Sequence, residues 1–155
     1  MKRLKIGQHP KGSSDHKYPL QNFSDIHIHT APDVKPRLQT DVEAALSAME
    51  SKMNCIVLKS HQEPTSGRAK ITSDILGFQV YGGVVLNNSV GGLNPYAVKA
   101  SAELGGKFVW FPTISYPTMQ MDWAKVEDIL QIVAENEMVL ATGHLKPEDI
   151  FNLID

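Results

Sequence analysis

The sequence predicts an α/β fold built from repeated (β/α) units around a parallel sheet. It favours a TIM-barrel-like arrangement of about five of eight units over an open doubly wound parallel sheet. Three observations carry this expectation. Strand-like runs recur at intervals of about 30 residues, the size of one βα module. Helix start signals stand between them. Polar side chains gather at the strand ends on one face.

The strand-like runs are Ser24–His29, Cys55–Ser60, Gln79–Asn87, Phe108–Thr113 and Met138–Thr142. Residues 1–22, with Gly7, Pro10, Gly12 and Pro19 and little periodicity, read as an N-terminal arm, and residues 23–155 as the domain. Thr40 and Glu43 form a capping-box pattern, followed by Val42, Ala45, Leu46, Met49 and Met53 on one helical face. Asn94 before Pro95 is an N-cap with proline at the first helical position. Asp122 can cap a helix whose apolar face is Val126, Ile129, Leu130 and Val133, and Pro147, Glu148 and Asp149 open a last helix.

Alternation along the strands decides between the two architectures. In the first run Asp25, His27 and His29 share one face and Ile26 and Ile28 the other; in the second, Lys59 and His61 oppose Ile56 and Leu58. A doubly wound sheet is covered by helices on both faces and wants both apolar. A barrel mouth tolerates converging polar groups, which favours the barrel. A complete barrel takes about 250 residues, so 155 residues read as its N-terminal portion.

Composition narrows the function class. Apolar residues make up 42% and charged residues 21%, a soluble globular profile. A net charge of −2 offers no pull toward nucleic acid or an anionic membrane. No apolar run approaches the roughly 20 residues that span a bilayer, and the basic first segment lacks the apolar core of a secretory signal. Cys55 is the single cysteine, which excludes an internal disulfide and fits a cytoplasmic location.

The sharpest chemical feature is Asp25-Ile26-His27-Ile28-His29. Histidines at i and i+2 on a strand point the same way, about 6–7 Å apart at their Cβ atoms, and both imidazoles can reach one divalent ion. Two histidines in a polar strand end is the plainer alternative, but burying them unpartnered is costly. Lys59 and His61 repeat the spacing at the second strand end. His61 could bind metal or a substrate anion, and Lys59 could neutralise a carboxylate; otherwise Lys59 snorkels to solvent and His61 is a loop residue. His144, after Gly143, ends the fifth run as a further candidate metal ligand, Gly143 allowing close backbone approach. Arg37 could clamp an anionic substrate or simply be solvated. The run Asn87–Pro95 offers backbone donors and space at the mouth of the site but contains no phosphate-binding signature. His9 and His16 read as solvated, and Trp110, Met119, Met121 and Trp123 as packing residues.

The phrases DIHIHTAPDVKPR, VLKSHQEPT, GGVVLNNSVGGLNPYAVKA, VWFPT and ATGH resemble the amidohydrolase superfamily, closest to an uncharacterised group of metal-dependent hydrolases, over about residues 22–155. HxH alone is shared with PHP-type phosphoesterases; the ordered set of phrases is more specific. The resemblance implies a metal-bearing barrel that hydrolyses C–N, C–O or P–O bonds of a small, anionic substrate. His27 and His29 match its first-strand pair and His144 its fifth-strand histidine. Lys59, His61 and Arg37 are then the catalytic candidates. Zinc is the first metal expected, with manganese, iron or nickel as alternatives. Where the superfamily places a bridging carboxylated lysine or glutamate, this chain has Thr113, and the histidine of strand six and aspartate of strand eight have no counterpart. The competing expectations are a non-catalytic remnant that binds metal or a partner, with self-association or a C-terminal-half partner, and a PHP-type phosphoesterase.

Overall fold

A computed structural model describes residues 20–116 and 118–154. Residues 1–19 of the expected arm, with His9 and His16, lie outside the described residues.

The βα alternation is present. The strands are β1 (Ser24–Ile28), β2 (Cys55–Leu58), β3 (Gln79–Tyr81), β4 (Gly83–Val85), β5 (Phe108–Trp110) and β6 (Val139–Ala141). The helices are α1 (Asp41–Glu50), α2 (Ser66–Leu76), α3 (Pro95–Glu103), α4 (Trp123–Glu135) and α5 (Pro147–Ile154). All strand pairs are parallel, in two three-stranded sheets ordered β1-β2-β3 and β4-β5-β6. No closed barrel forms among the described residues. The run Gln79–Asn87, expected as one strand, divides at Gly82: β3 pairs with β2, and β4 pairs with β5.

The helix starts follow the chemistry of their caps. Thr40 and Glu43 complete the capping box of α1, Asn94 accepts from the amides of Tyr96 and Ala97, and Asp122 accepts from Lys125 N. These side chains satisfy amides that the first helical turn leaves unpaired. The buried face of α1 differs from expectation. Ala44, Ala45 and Ala48 face inward, while Val42, Leu46 and Met49 stay partly exposed. Small side chains let α1 approach the strands closely, and the larger ones fall on its flank.

All the helices lie against one side of the strands. Ile56, Leu58 and Val80 pack with the α1 alanines and Ala69. Val84, Leu86, Val109 and Phe111 pack with Val98 of α3 and with Val126, Ile129 and Val133 of α4. The opposite face carries a separate cluster of Val57, Val85, Phe108 and Trp110, with Tyr81 and Ala141 against it and no helical residue among them. One face is therefore free to hold a site.

Two glycines let the third strand change partners. A Cβ on Gly83 would lie 2.0 Å from the Phe108 carbonyl oxygen, and one on Gly82 would lie 2.6 Å from the Thr65 backbone. We expect Gly83→Ala to lower unfolding free energy by about 1–3 kcal/mol, the range for overpacking, read from urea denaturation. An unchanged midpoint would show that β4 and β5 separate without cost.

Candidate functional site

The site forms where the strands end on the helix-free face. In β1 the register slips: Asp25 pairs opposite Ile56 and Ile28 opposite Leu58, so three steps on β1 match two on β2. The extra residue corrects the simple alternation. Asp25 falls in phase with Ile56, whose side chain meets the helices, while Ile26 and His27 together oppose Val57 on the free face. Asp25 turns to its own backbone and accepts from His27 N at 3.0 Å. Such bulges redirect side chains beside functional sites.

The loop after β1 is held from α2. The Arg68 guanidinium donates to the carbonyls of Pro32 (2.6 Å) and Thr30 (3.2 Å) and pairs with Glu63 (2.6 Å) and Asp41 (3.2 Å). Thr30 also donates to Asp41. This clasp anchors the segment that begins at His29.

Three imidazoles and one amine come together. His27 Nε2 faces His29 Nε2 at 3.2 Å, and Lys59 Nζ lies 3.3 Å from His27 Nε2. The His61 ring stacks on His29 with centroids 4.8 Å apart. Lys59 is only 3% exposed and sits 5.3 Å over the Trp110 ring, a cation–π contact rather than a carboxylate pair. A pocket of about 330 Å³ is lined by His27, Lys59, Trp110, Thr113, Gly143 and His144. Gly143 has φ +63°, and a Cβ there would lie 2.2 Å from the Phe111 carbonyl, so the chain turns tightly to present His144 at the pocket wall. A larger groove of about 430 Å³ between α3 and α4 lies on the far side and contains no histidine.

Asn87 and Thr113, at the ends of β4 and β5, tie His61 in place. Asn87 Oδ1 accepts from the amides of Thr113 (2.8 Å) and Ser115 (3.2 Å). Its Nδ2 donates to the His61 carbonyl (3.0 Å) and to Thr113 Oγ1 (2.9 Å), and that oxygen is 2.8 Å from His61 Nδ1.

Burial and neighbouring cations keep the imidazoles neutral. Desolvation, then the Lys59 charge, lowers the pKa of His27, with Asp25 opposing. His29 is lowered by desolvation and then by Arg37, His27 and Lys59. His61 falls to about 4 through desolvation, with Lys59, His29, Arg37 and His144 adding to it. Desolvation also lowers Lys59. Burial pushes the Asp33 carboxyl up, but Arg37, paired with it at 2.8 Å, and the Lys35 amide outweigh this and hold it below its ordinary value.

Of the candidates from sequence, His27, His29, Lys59 and His61 meet directly. His144 shares the pocket from an exposed position. Arg37 stands near enough to act on His29 and His61, with part of its charge answered by Asp33. Among the described residues no three His, Cys, Asp or Glu side chains form a ready metal-binding group. Sequence reasoning missed Asn87 and Thr113 as partners of His61; parity carried through Val85 puts Asn87 on the free face, a signal open to it.

Fold and site define an α/β protein with a histidine cluster at the C-terminal ends of its parallel strands. The family model described as "Family of unknown function (DUF6282)" matches residues 22–125 and 118–155, and the chain belongs to that family. No curated protein and no solved structure matches it.

The lowered His61 value has a consequence for stability. A folded pKa of about 4 against 6.5 means that the unfolded chain takes up its proton first. The neutral ring's contribution is complete above pH 6.5 and is lost as pH falls toward 4. In chelator-treated buffer we expect Tm to fall over this window and to fall less in His61→Gln. Equal slopes in the two proteins would remove His61 as the source.

Proposed function

We propose that the site is the centre of a metal-dependent hydrolase of the amidohydrolase type, in which His27 and His29 hold a divalent ion, zinc first. The observation that carries this reading is the 3.2 Å approach of the two Nε2 atoms. Bonds of about 2.0–2.1 Å in tetrahedral geometry set ligand nitrogens about 3.3–3.4 Å apart, so the pair already spans one edge of such a centre. The lowered pKa values favour the neutral imidazole at both positions, the form that ligation requires. The donor set fits the two-imidazole share of the coordination. His144 is the third ligand proposed, across the same pocket.

A divalent ion supplies there Lewis-acid polarisation of a carbonyl or phosphoryl oxygen and a lowered pKa for water. The chain's own residues do the rest. Lys59, with no carboxylate partner among the described residues, orients an anionic group of a small substrate against the Trp110 wall. Arg37 adds positive potential at the mouth. Asp33 and Glu63, the nearest carboxylates on the two loops, are engaged with Arg37 and Arg68, so as proton acceptors they are weak.

The sequential strand order and the one-sided helices support a partial (β/α) barrel over a doubly wound sheet, whose strand order reverses. β1 and β6 each lack a second neighbour among the described residues. That favours a second reading, in which the chain binds metal or a partner without turnover until further strands, from a second copy or a C-terminal half, complete the site.

Metal analysis separates these readings. Wild-type protein dialysed against zinc is expected to retain it. A His27→Ala/His29→Ala variant should bind more than about tenfold more weakly, the scale on which even outer-shell changes act. Equal zinc in both would remove the basis of the hydrolase reading. With zinc retained, hydrolysis within a panel of amides, lactones and phosphate esters supports the enzyme, and none within it supports binding without turnover.

A further inference from the structure

We infer that Asn87 and Thr113 are positioning residues that hold His61 as the Nε2–H tautomer, making it a hydrogen-bond donor to a substrate oxygen rather than a metal ligand. This deepens the hydrolase reading and rests on it for the identity of the acceptor; the tautomer itself does not depend on it.

The assignment follows from counting donors and acceptors. Asn87 is fully buried, and two backbone amides, those of Thr113 and Ser115, converge on one end of its side chain. Amides only donate, so that end is the carbonyl oxygen and the other end is the NH₂ group. The NH₂ group then donates to Thr113 Oγ1 at 2.9 Å. Thr113 is 1% exposed, and its hydroxyl carries one proton that must find an acceptor. Among the described residues the acceptor within reach is His61 Nδ1, at 2.8 Å. If Nδ1 carried the proton instead, Thr113 Oγ1 would receive two donors and its own proton would be buried without a partner, at a cost of about 1–3 kcal/mol. Donation therefore runs from Asn87 to Thr113 to His61 Nδ1, and the imidazole proton sits on Nε2.

An Nε2–H does not ligate a metal, because its in-plane orbital is taken by the N–H bond and its lone pair belongs to the ring's π system. It can donate to an oxygen that gains negative charge during acyl or phosphoryl transfer. The stack on His29 places this donor beside the proposed ion site. No hydrogen bond to His61 Nε2 forms among the described residues, which leaves it open to a ligand. Thr113 thus serves here as a tether for the strand-two histidine.

Long-range ¹H–¹⁵N NMR of the full chain reads this directly, with the His61 signals assigned by a His61→Gln variant. In metal-free wild type near pH 7.5, His61 is expected to show a protonated Nε2 and a bare Nδ1. Thr113→Ser should keep that pattern and Thr113→Val should lose it. On adding zinc, His27 and His29 signals should shift while the His61 Nε2 proton stays. A wild-type Nδ1–H tautomer overturns the inference, as does loss of the Nε2 proton when zinc binds. An unchanged tautomer in a folded Thr113→Val variant overturns the positioning role. The expected tautomer together with no zinc uptake supports the relay and sinks the hydrolase reading alone.

Discussion

The handover at Gly82 and Gly83 is the constraint on which the rest depends. The third strand runs beside β2 for three residues and then beside β5, and it can do so only because neither glycine has a side chain to collide with the Thr65 backbone or the Phe108 carbonyl. Thr65 fills the place that a strand neighbour would have taken. It is fully buried, its amide donates to Gly83 O at 2.9 Å, its hydroxyl donates to Leu58 O at 2.7 Å, and Gly83 N donates back to that hydroxyl at 3.0 Å. Backbone groups left open by the change of partner are thereby satisfied inside the protein. The same clasp puts the end of β2, with Lys59 and His61, next to the end of β4, with Asn87.

From that placement comes the electrostatic character of the site. The helix-free face is apolar at its base, through Val57, Val85, Phe108 and Trp110, and polar only at the strand ends. His27, His29, His61 and Lys59 lose water at this boundary, and desolvation shifts each toward its neutral form, with Asp25 opposing it at His27. The Asp33–Arg37 and Arg68–Asp41–Glu63 pairings engage the acids of the loops after β1 and β2 and of α1. What remains facing the pocket is a set of imidazole nitrogens beside the Lys59 amine, which has no carboxylate partner among the described residues.

Much of the fold was legible in the sequence, because βα spacing and capping chemistry are local. The caps at Thr40, Asn94 and Asp122 depend on residues within three positions of one another and read directly. What could not be read depends on contacts distant along the chain. The division of Gln79–Asn87 is decided by the Thr65 and Phe108 backbones, the inward alanines of α1 by the surface they meet, and the slipped register of β1 by β2. The slip matters most: ideal alternation placed Asp25 beside the two histidines, whereas one extra residue turns it away and brings Ile26 to the pocket. His27 and His29 escaped this error because the irregularity falls at Ile26 and His27, and Ile28, the residue between the two histidines, is back in register with Leu58.

A site rich in imidazoles and poor in free carboxylates must handle protons differently from one built around an acid. Within the pocket, Lys59 Nζ lies against His27 Nε2, so the ion proposed for the histidine pair would compete with the amine for the same lone pair. Burial weakens the proton's hold on Lys59, which would favour the ion in that competition. Lys59 Nζ also lies over the Trp110 ring, where, under the proposed function, an anionic substrate group would meet it. Under the proposed function, occupancy of the histidine pair would thereby be coupled to the availability of Lys59, since the amine lies against His27 Nε2.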